Sequence, residues 1–163
     1  MPKVTPFLWF DTESEPAAEL YTSVFPNSRI VDVTRYGSAG PREEGLAMTV
    51  SFELDGQRVV ALNGGSDFKL NEAFSFSIDC DDQDEVDYYW EKLGEDGEHG
   101  PCGWLKDRFG VSWQVIPSRL RELTETPAAD PAGAERAMQA MLQMGRIDIA
   151  ELERAYAGEP VPR

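Results

Sequence analysis

Histidine occurs once in this chain, cysteine twice and lysine four times. Metal centres built from imidazoles and thiolates need several such side chains converging, often in CxxC or HxxxH spacing. His99 stands alone, and Cys80 and Cys102 form no CxxC pair. Two buried, reduced thiols are the simplest reading, with a nucleophilic Cys102 in its glycine-rich loop as the alternative. No apolar run approaches the roughly 20 residues that span a bilayer. The opening Met1-Pro2-Lys3-Val4-Thr5-Pro6 lacks the long apolar region of a signal peptide, so the expected location is the cytoplasm. No GxGxxG stands between a strand and a helix, where a nucleotide-type methyl donor is usually held. Gly64-Gly65 ends one predicted strand and leads towards another.

Positive charge is also scarce: 15 Lys and Arg face 30 Asp and Glu, for a net −15 and an isoelectric point near 4.3. Residues 118–163 carry only −2 of this, leaving −13 on residues 1–117. A surface of that sign repels phosphate backbones and anionic lipid, which argues against nucleic-acid and membrane-surface roles. Hydrophobic residues at 41% and a length of 163 fit one well-buried globular core.

What the chain does contain is an internal echo. Phe7-Leu8-Trp9-Phe10-Asp11 runs through an acidic turn into a helical stretch with Tyr21 and Phe25. Phe74-Ser75-Phe76-Ser77-Ile78-Asp79 does the same, with Tyr89 and Leu93. Setting Asp11 on Asp79, an offset of 68, also sets Leu8 on Phe76, Phe10 on Ile78, Ala18 on Val86 and Tyr21 on Tyr89. Strand side chains alternate, so Leu8, Phe10, Phe74, Phe76 and Ile78 are expected to face the helix of their own unit. Thr5, Phe7, Trp9, Ser75 and Ser77 fall on the other, inner face.

Helices are expected over about 15–25, with Ser14 as cap and Pro16 in the first turn, and over 83–93, with Asp82 to Glu85 in capping-box spacing. Further strands fit Arg29–Tyr36, Leu46–Leu54, Arg58–Leu62 after the Asp55-Gly56 turn, Gly103–Asp107 and Val111–Ile116, with a short one near Glu98–Cys102. The fold class is therefore α+β: paired βαβββ modules forming a curled mixed sheet with a cleft, over residues 1–117. Residues 118–163 read as a linker, Thr124–Asp130, and a C-terminal helical extension. In it Ala134, Ala137, Met138, Met141 and Leu142 follow helical spacing, and a second helix carries Ile149, Leu152, Ala155 and Tyr156. Its Met-rich stripe packs on the protein's own body, on a second copy, or on a partner.

Pro6-Phe7-Leu8-Trp9-Phe10-Asp11, Val24-Phe25-Pro26, Ala61-Leu62-Asn63-Gly64-Gly65 and above all Cys102-Gly103-Trp104-Leu105-Lys106-Asp107-Arg108-Phe109-Gly110-Val111-Ser112-Trp113-Gln114 resemble PhnB-like proteins. The tail from Met138 to Leu152 is similar to that group too. These are also called 3-demethylubiquinone-9 3-methyltransferase-like domains, within the vicinal oxygen chelate superfamily of glyoxalase I, bleomycin-resistance proteins and extradiol dioxygenases. The resemblance implies paired βαβββ modules and a cleft often completed in a homodimer. It also implies that metal-using members draw ligands from inward positions on four strands. Carried over by position, these fall on Thr5, Ala73, Gln114 and near Asn63, a set without imidazole or carboxylate, so no metal and no other cofactor is expected. Glu72 would turn inward only through a one-residue register shift. That shift would expose Phe74, Phe76 and Ile78 at a cost of about 1.5–3 kcal/mol each.

The expected ligand-binding set is Phe7, Trp9, Asn63, Ser75, Ser77 and Gln114, suited to a small ligand held by stacking and a few hydrogen bonds. Trp113 reads as core. Lys106 is placed either in a surface pair or at the cleft mouth attracting an anion, and Arg35 and Tyr36 as covers of that mouth. Three functions follow in order: a metal-free small-molecule-binding protein, an enzyme on a small metabolite of the methyltransferase, glyoxalase or dioxygenase kind with Glu72 as acid–base group, and a dimeric interaction module.

Overall fold

Alternate burial along β1 (Phe7–Phe10) sets the architecture of the first half of the chain. Leu8 and Phe10 are buried, while Phe7 and Trp9 lie on the opposite side. The computed structural model describes residues 2–160 and divides into two units, one running to Asn71 and the other starting at Glu72. In the first, β1 is followed by α1 (Ser14–Val24), β2 (Arg29–Arg35), β3 (Ala47–Leu54) and β4 (Gln57–Asn63). The strands form one sheet in the order β1-β4-β3-β2, with β1 parallel to β4 and the other pairs antiparallel. Val50, Phe52, Val59 and Ala61 join Leu8 and Phe10 beneath Ala17, Ala18, Tyr21 and Val24 of α1. The expected tight hairpin is present: Asp55 and Gly56 adopt φ of 46° and 81°, as a two-residue turn requires.

The second unit repeats the plan. β5 (Ser75–Cys80) leads into α2 (Gln83–Gly94), β6 (Glu98–His99), β7 (Trp104–Lys106) and β8 (Ser112–Pro117). The order β5-β8-β7-β6 is the first sheet's order advanced by four strands, again with first and last strands parallel. Phe76, Ile78, Leu105, Trp113 and Val115 share the side that meets α2, and Phe76 stacks on Trp113 with centroids 4.9 Å apart. Phe74 departs from expectation: β5 begins one residue after it, and the ring is 47% exposed, edge-on to Phe76. Each copy of the echo thus forms one four-stranded mixed sheet with its own helix.

The two helix starts use different chemistry. Asp82 accepts from the Glu85 amide at 2.9 Å, and the Glu85 carboxylate reaches back to the Asp81 amide at 2.8 Å, one residue earlier than a standard capping box. For α1 the expected Ser14 cap is corrected. Its hydroxyl is buried without a hydrogen-bond partner, and the Ser14 amide instead donates to Oδ1 of Asn63 at 2.9 Å. The amide of Asn63 also donates to the Ala47 carbonyl at 2.9 Å, and its main-chain carbonyl accepts from the Tyr36 hydroxyl at 2.6 Å. One side chain from β4 therefore caps the helix and ties β3 at once.

Asp107 plays the matching part in the second unit. Its Oδ1 accepts from the amides of Phe109 and Val111, and its Oδ2 from the Trp113 indole at 2.8 Å, closing the turn between β7 and β8. The tail packs within this same unit. α3 (Ser118–Thr124), unforeseen in the sequence, joins α4 (Pro131–Met141) and α5 (Ile149–Ala157) around Ile116, Leu120, Leu123, Met144, Ile147 and Leu152. The Gln83 side chain fastens it by donating to the Ile147 carbonyl and accepting from the Ile149 amide. The cluster answers where the Met141 side of the stripe goes, whereas Met138 and Leu142 stay exposed.

Asn63→Ala removes partners from two buried backbone groups and is expected to cost about 2–4 kcal/mol in urea denaturation, against under about 0.5 for Ser77→Ala on the open side. Cys80 is fully buried, and burial first, then Glu85 and the neighbouring aspartates, push its thiol up from 9.0 to about 12. Native protein at pH 8 should leave Cys80 unalkylated by iodoacetamide until urea is added, as mass spectrometry of the peptides will show. Because the folded thiol holds its proton longer than the unfolded one, this contribution to stability is present below pH 9 and lost as pH rises towards 12. The decline should be shallower in Cys80→Ala.

Candidate ligand-binding faces

Each sheet turns one face to a helix and leaves the other open, and the register assigns the six expected ligand residues between them. In the first unit Phe7 and Trp9 are on the open side, opposite Val60 and Leu62. Phe7 is 60% exposed. Trp9 is half-buried and committed locally: its indole donates to the Gly65 carbonyl at 2.8 Å, and its ring meets Phe68 edge-on at 5.0 Å. A Cβ on Gly64 would come within 2.4 Å of that ring, so the glycine is what lets the indole lie across the end of β4. Asn63 is corrected: it pairs with Phe10, shares the helix side, and is 1% exposed with both ends of its amide in use. The sequence reading placed it by position in the resemblance, and strand parity places it on the opposite face.

In the second unit Ser75, Ser77 and Gln114 do share the open side. Ser77 stands directly across from Gln114, whose side-chain nitrogen donates to the Ser75 hydroxyl at 2.9 Å. Two rows run across this sheet. One is Ser77, Gln114 and Trp104; the other is Ser75, Ser112, Lys106 and Glu98. Trp104, Ser112 and Glu98 were missed as site residues in the sequence. Alternation from Gln114 along its own strand would have found Ser112, whereas Trp104 is its cross-strand neighbour and Glu98 lay in a strand too short to show a pattern.

A cavity of about 490 Å³ opens over the second row, bounded by Trp104, Lys106, Ser112, Glu98, Glu72 and the Gly100–Cys102 loop. Such a volume is in the range that small organic ligands occupy. Lys106 is ion-paired with Glu72, and the Glu98 carboxylate adds to the field on it. Its ammonium is accordingly held above the usual lysine range, first by the Glu72 bond, and the same bond holds Glu72 below the usual carboxylate range. Ser112 is 2% exposed and its hydroxyl has no hydrogen-bond partner among the described residues, although it is on the open side and lines the cavity.

The residues expected over the cleft mouth are otherwise engaged. Arg35 pairs with Glu15 of α1 at 2.6 Å, and Tyr36 bonds the Asn63 carbonyl. Cys102 is half-buried at the cavity edge, its amide bonded to the Met144 carbonyl. Of the four positions carried over for a metal, Thr5 and Ala73 precede their strands, Asn63 faces the helix, and only Gln114 is on an open face. His99 stacks on Trp90 at 4.6 Å and its Nε2 bonds the Trp90 carbonyl. Among the described residues no three of His, Cys, Asp or Glu gather closely enough to hold an ion, and no helix is long and apolar enough to cross a membrane.

Residues 2–116 match the family model described as 3-demethylubiquinone-9 3-methyltransferase. No curated protein matches the sequence. Among solved structures, a PhnB protein from Bacillus cereus, described as a putative 3-demethylubiquinone-9 3-methyltransferase, is 33% identical with a TM-score of 0.66, over 72% of this chain and 100% of that one. A Pseudomonas aeruginosa protein at 18% identity covers 69% of this chain and 95% of its own, with a TM-score of 0.58. A mutant fosfomycin resistance protein, FosX, from Listeria monocytogenes, complexed with Mn(II) and a dihydroxypropylphosphonic acid, is 16% identical over 75% and 99%, with a TM-score of 0.52. The last two show likeness of fold alone. With the paired βαβββ units, the open sheet faces and the match over residues 2–116, this chain belongs to the PhnB-like 3-demethylubiquinone-9 3-methyltransferase family, on the fold of the glyoxalase and bleomycin-resistance superfamily.

Proposed function

We propose that this protein binds a small organic molecule on the open faces of its sheets and does so without a divalent metal. The observation that carries the reading is the second unit's open face, where Ser75, Ser77 and Gln114 stand beside a cavity of ligand size. Amides and hydroxyls around an aromatic wall select by shape and hydrogen bonding rather than by charge transfer to a metal. The FosX relative is complexed with Mn(II). The positions carried over from the superfamily resemblance, Thr5, Ala73, Asn63 and Gln114, offer one hydroxyl, a methyl that donates nothing and two amides, one of which is spent on a helix cap, and these do not fit a transition-metal ion.

Methyl transfer is not carried over from the family description. The glycines that might mark a cofactor turn, Gly64 and Gly65, sit under and beside the Trp9 indole. Glu72, the acid–base candidate, is a stabilised carboxylate held by Lys106, which makes it a weak base. The working setting is the cytoplasm and the working state a homodimer. The edge strand β2 leaves Ile30 and Val31 exposed, and such edges are commonly covered by a partner.

A thermal-shift screen of a metabolite library, run with and without EDTA, tests the reading. Hits should survive the chelator and bind saturably in calorimetry without turnover. Gln114→Leu should weaken binding by roughly 3–10-fold while leaving the melting temperature near that of the parent. Binding that appears only with added Zn²⁺, Fe²⁺ or Mn²⁺ would contradict it. Light scattering should give twice the 18.2 kDa chain mass, and a monomer at working concentration would remove the dimer from the account.

A further inference from the structure

The cavity of the second unit carries more than its size, because its charges and one orphaned hydroxyl specify a kind of ligand. Glu72, Glu98 and Lys106 line it, and these three leave a net charge of −1. Lys106 does not offer a free cation. Glu72 holds its ammonium directly and Glu98 stands across from it on the neighbouring strand. An incoming anion would have to break the Glu72 pair and accept repulsion from both carboxylates. Among the described residues, the charge in this cavity without an ion-pair partner is that of Glu98, and it is negative.

The second observation is independent of charge. Ser112 has a buried hydroxyl with no partner, in a wall of this cavity. A buried polar group left unmade is costly and calls for an explanation, and for one on a cavity wall a bound ligand is such an explanation. Ser112, Lys106 and Glu98 occupy one row across three strands, at about 4.8 Å per strand, so Ser112 and Glu98 are separated by roughly 10 Å. Trp104 lies in the adjoining row and supplies an aromatic wall.

We propose that this cavity takes a small arylalkylamine bearing a neutral polar group at its far end. The ammonium sits against Glu98, the ring lies on Trp104, and a hydroxyl or amide at the other end bonds Ser112. The proposal rests on the binding function above and names its ligand class. A primary ammonium meets an exposed carboxylate with a charge-assisted hydrogen bond, and an aromatic face adds cation–π attraction. An aryl ethylamine with a para hydroxyl spans the required distance.

Three probes separate the contributions: tyramine, phenethylamine, which lacks the hydroxyl, and 3-(4-hydroxyphenyl)propionate, which reverses the charge. Binding is followed on the full chain by NMR, through the Trp104 indole resonance. Tyramine should bind best, phenethylamine several-fold more weakly, and the propionate least. Glu98→Gln should weaken tyramine by about tenfold. Ser112→Ala should remove the preference for tyramine over phenethylamine while leaving the fold intact, since that hydroxyl has no bond to lose. Lys106→Gln supplies the sign test: by freeing Glu72 it should tighten both amines, whereas an anion site would be destroyed. Preference for the propionate, loss of amine binding in Lys106→Gln, or an unmoved Trp104 signal with all three at millimolar concentration would each overturn the proposal. A library hit that perturbs Ser77 and Gln114 while the amines leave Trp104 unmoved would overturn it and leave the broader binding function standing.

Discussion

Strand parity is the constraint on which the rest of this structure depends. Each four-stranded sheet has one helix to cover it, so one set of alternate residues must be apolar and the other set is left facing outward. The pairing of the first strand with the last, in parallel, locks this choice in both units: Leu8 with Ala61 and Phe10 with Asn63 in one, Phe76 with Trp113 and Ile78 with Val115 in the other. Slipping either pair by one residue would bring the helix down on Trp9 and Leu62, or on Ser77 and Gln114. Burial of Leu8, Phe10, Trp113 and Val115 forbids that, and in doing so fixes which side chains are left on the open faces.

Much of this was legible in the sequence because alternation and turn chemistry are local signals. The echo between Phe7–Asp11 and Phe74–Asp79 announced two copies of one unit. Asp55-Gly56 announced its hairpin, and Asp82 with Glu85 announced the start of α2. Two features were beyond local reading. Asn63 caps a helix that begins 49 residues earlier in the chain, and nothing near Ser14 signals that a distant amide will replace its hydroxyl. Asp107 stands before a polar-looking turn but is buried by three bonds to it, one from the Trp113 indole. Non-local hydrogen bonds of this kind leave no periodic trace, and α3 is too short to show one.

The same contrast runs through the site. The shared open side of Ser75, Ser77 and Gln114 was legible because they alternate, whereas the cavity's electrostatics come from cross-strand neighbours. Lys106 in isolation looks like bait for an anion. Set between Glu98 on one strand and Glu72 across the cavity wall, it becomes the neutralised member of a trio whose residual charge is negative. The family likeness supplies a fold, and the residues standing on that fold decide its chemistry. In this chain the open faces carry Trp9 in the first unit and Trp104, Ser75, Ser77, Lys106 and Gln114 in the second.

The two amides carry the account between them, Asn63 as part of the scaffold and Gln114 as part of the surface offered to a ligand. NMR of their side-chain NH₂ groups tests that division most directly. Asn63 should exchange slowly with water and keep its resonances when a ligand is added, and Gln114 should exchange fast and move on binding. A freely exchanging Asn63 that shifts with ligand while Gln114 stays still would contradict the assigned faces, and with them the site.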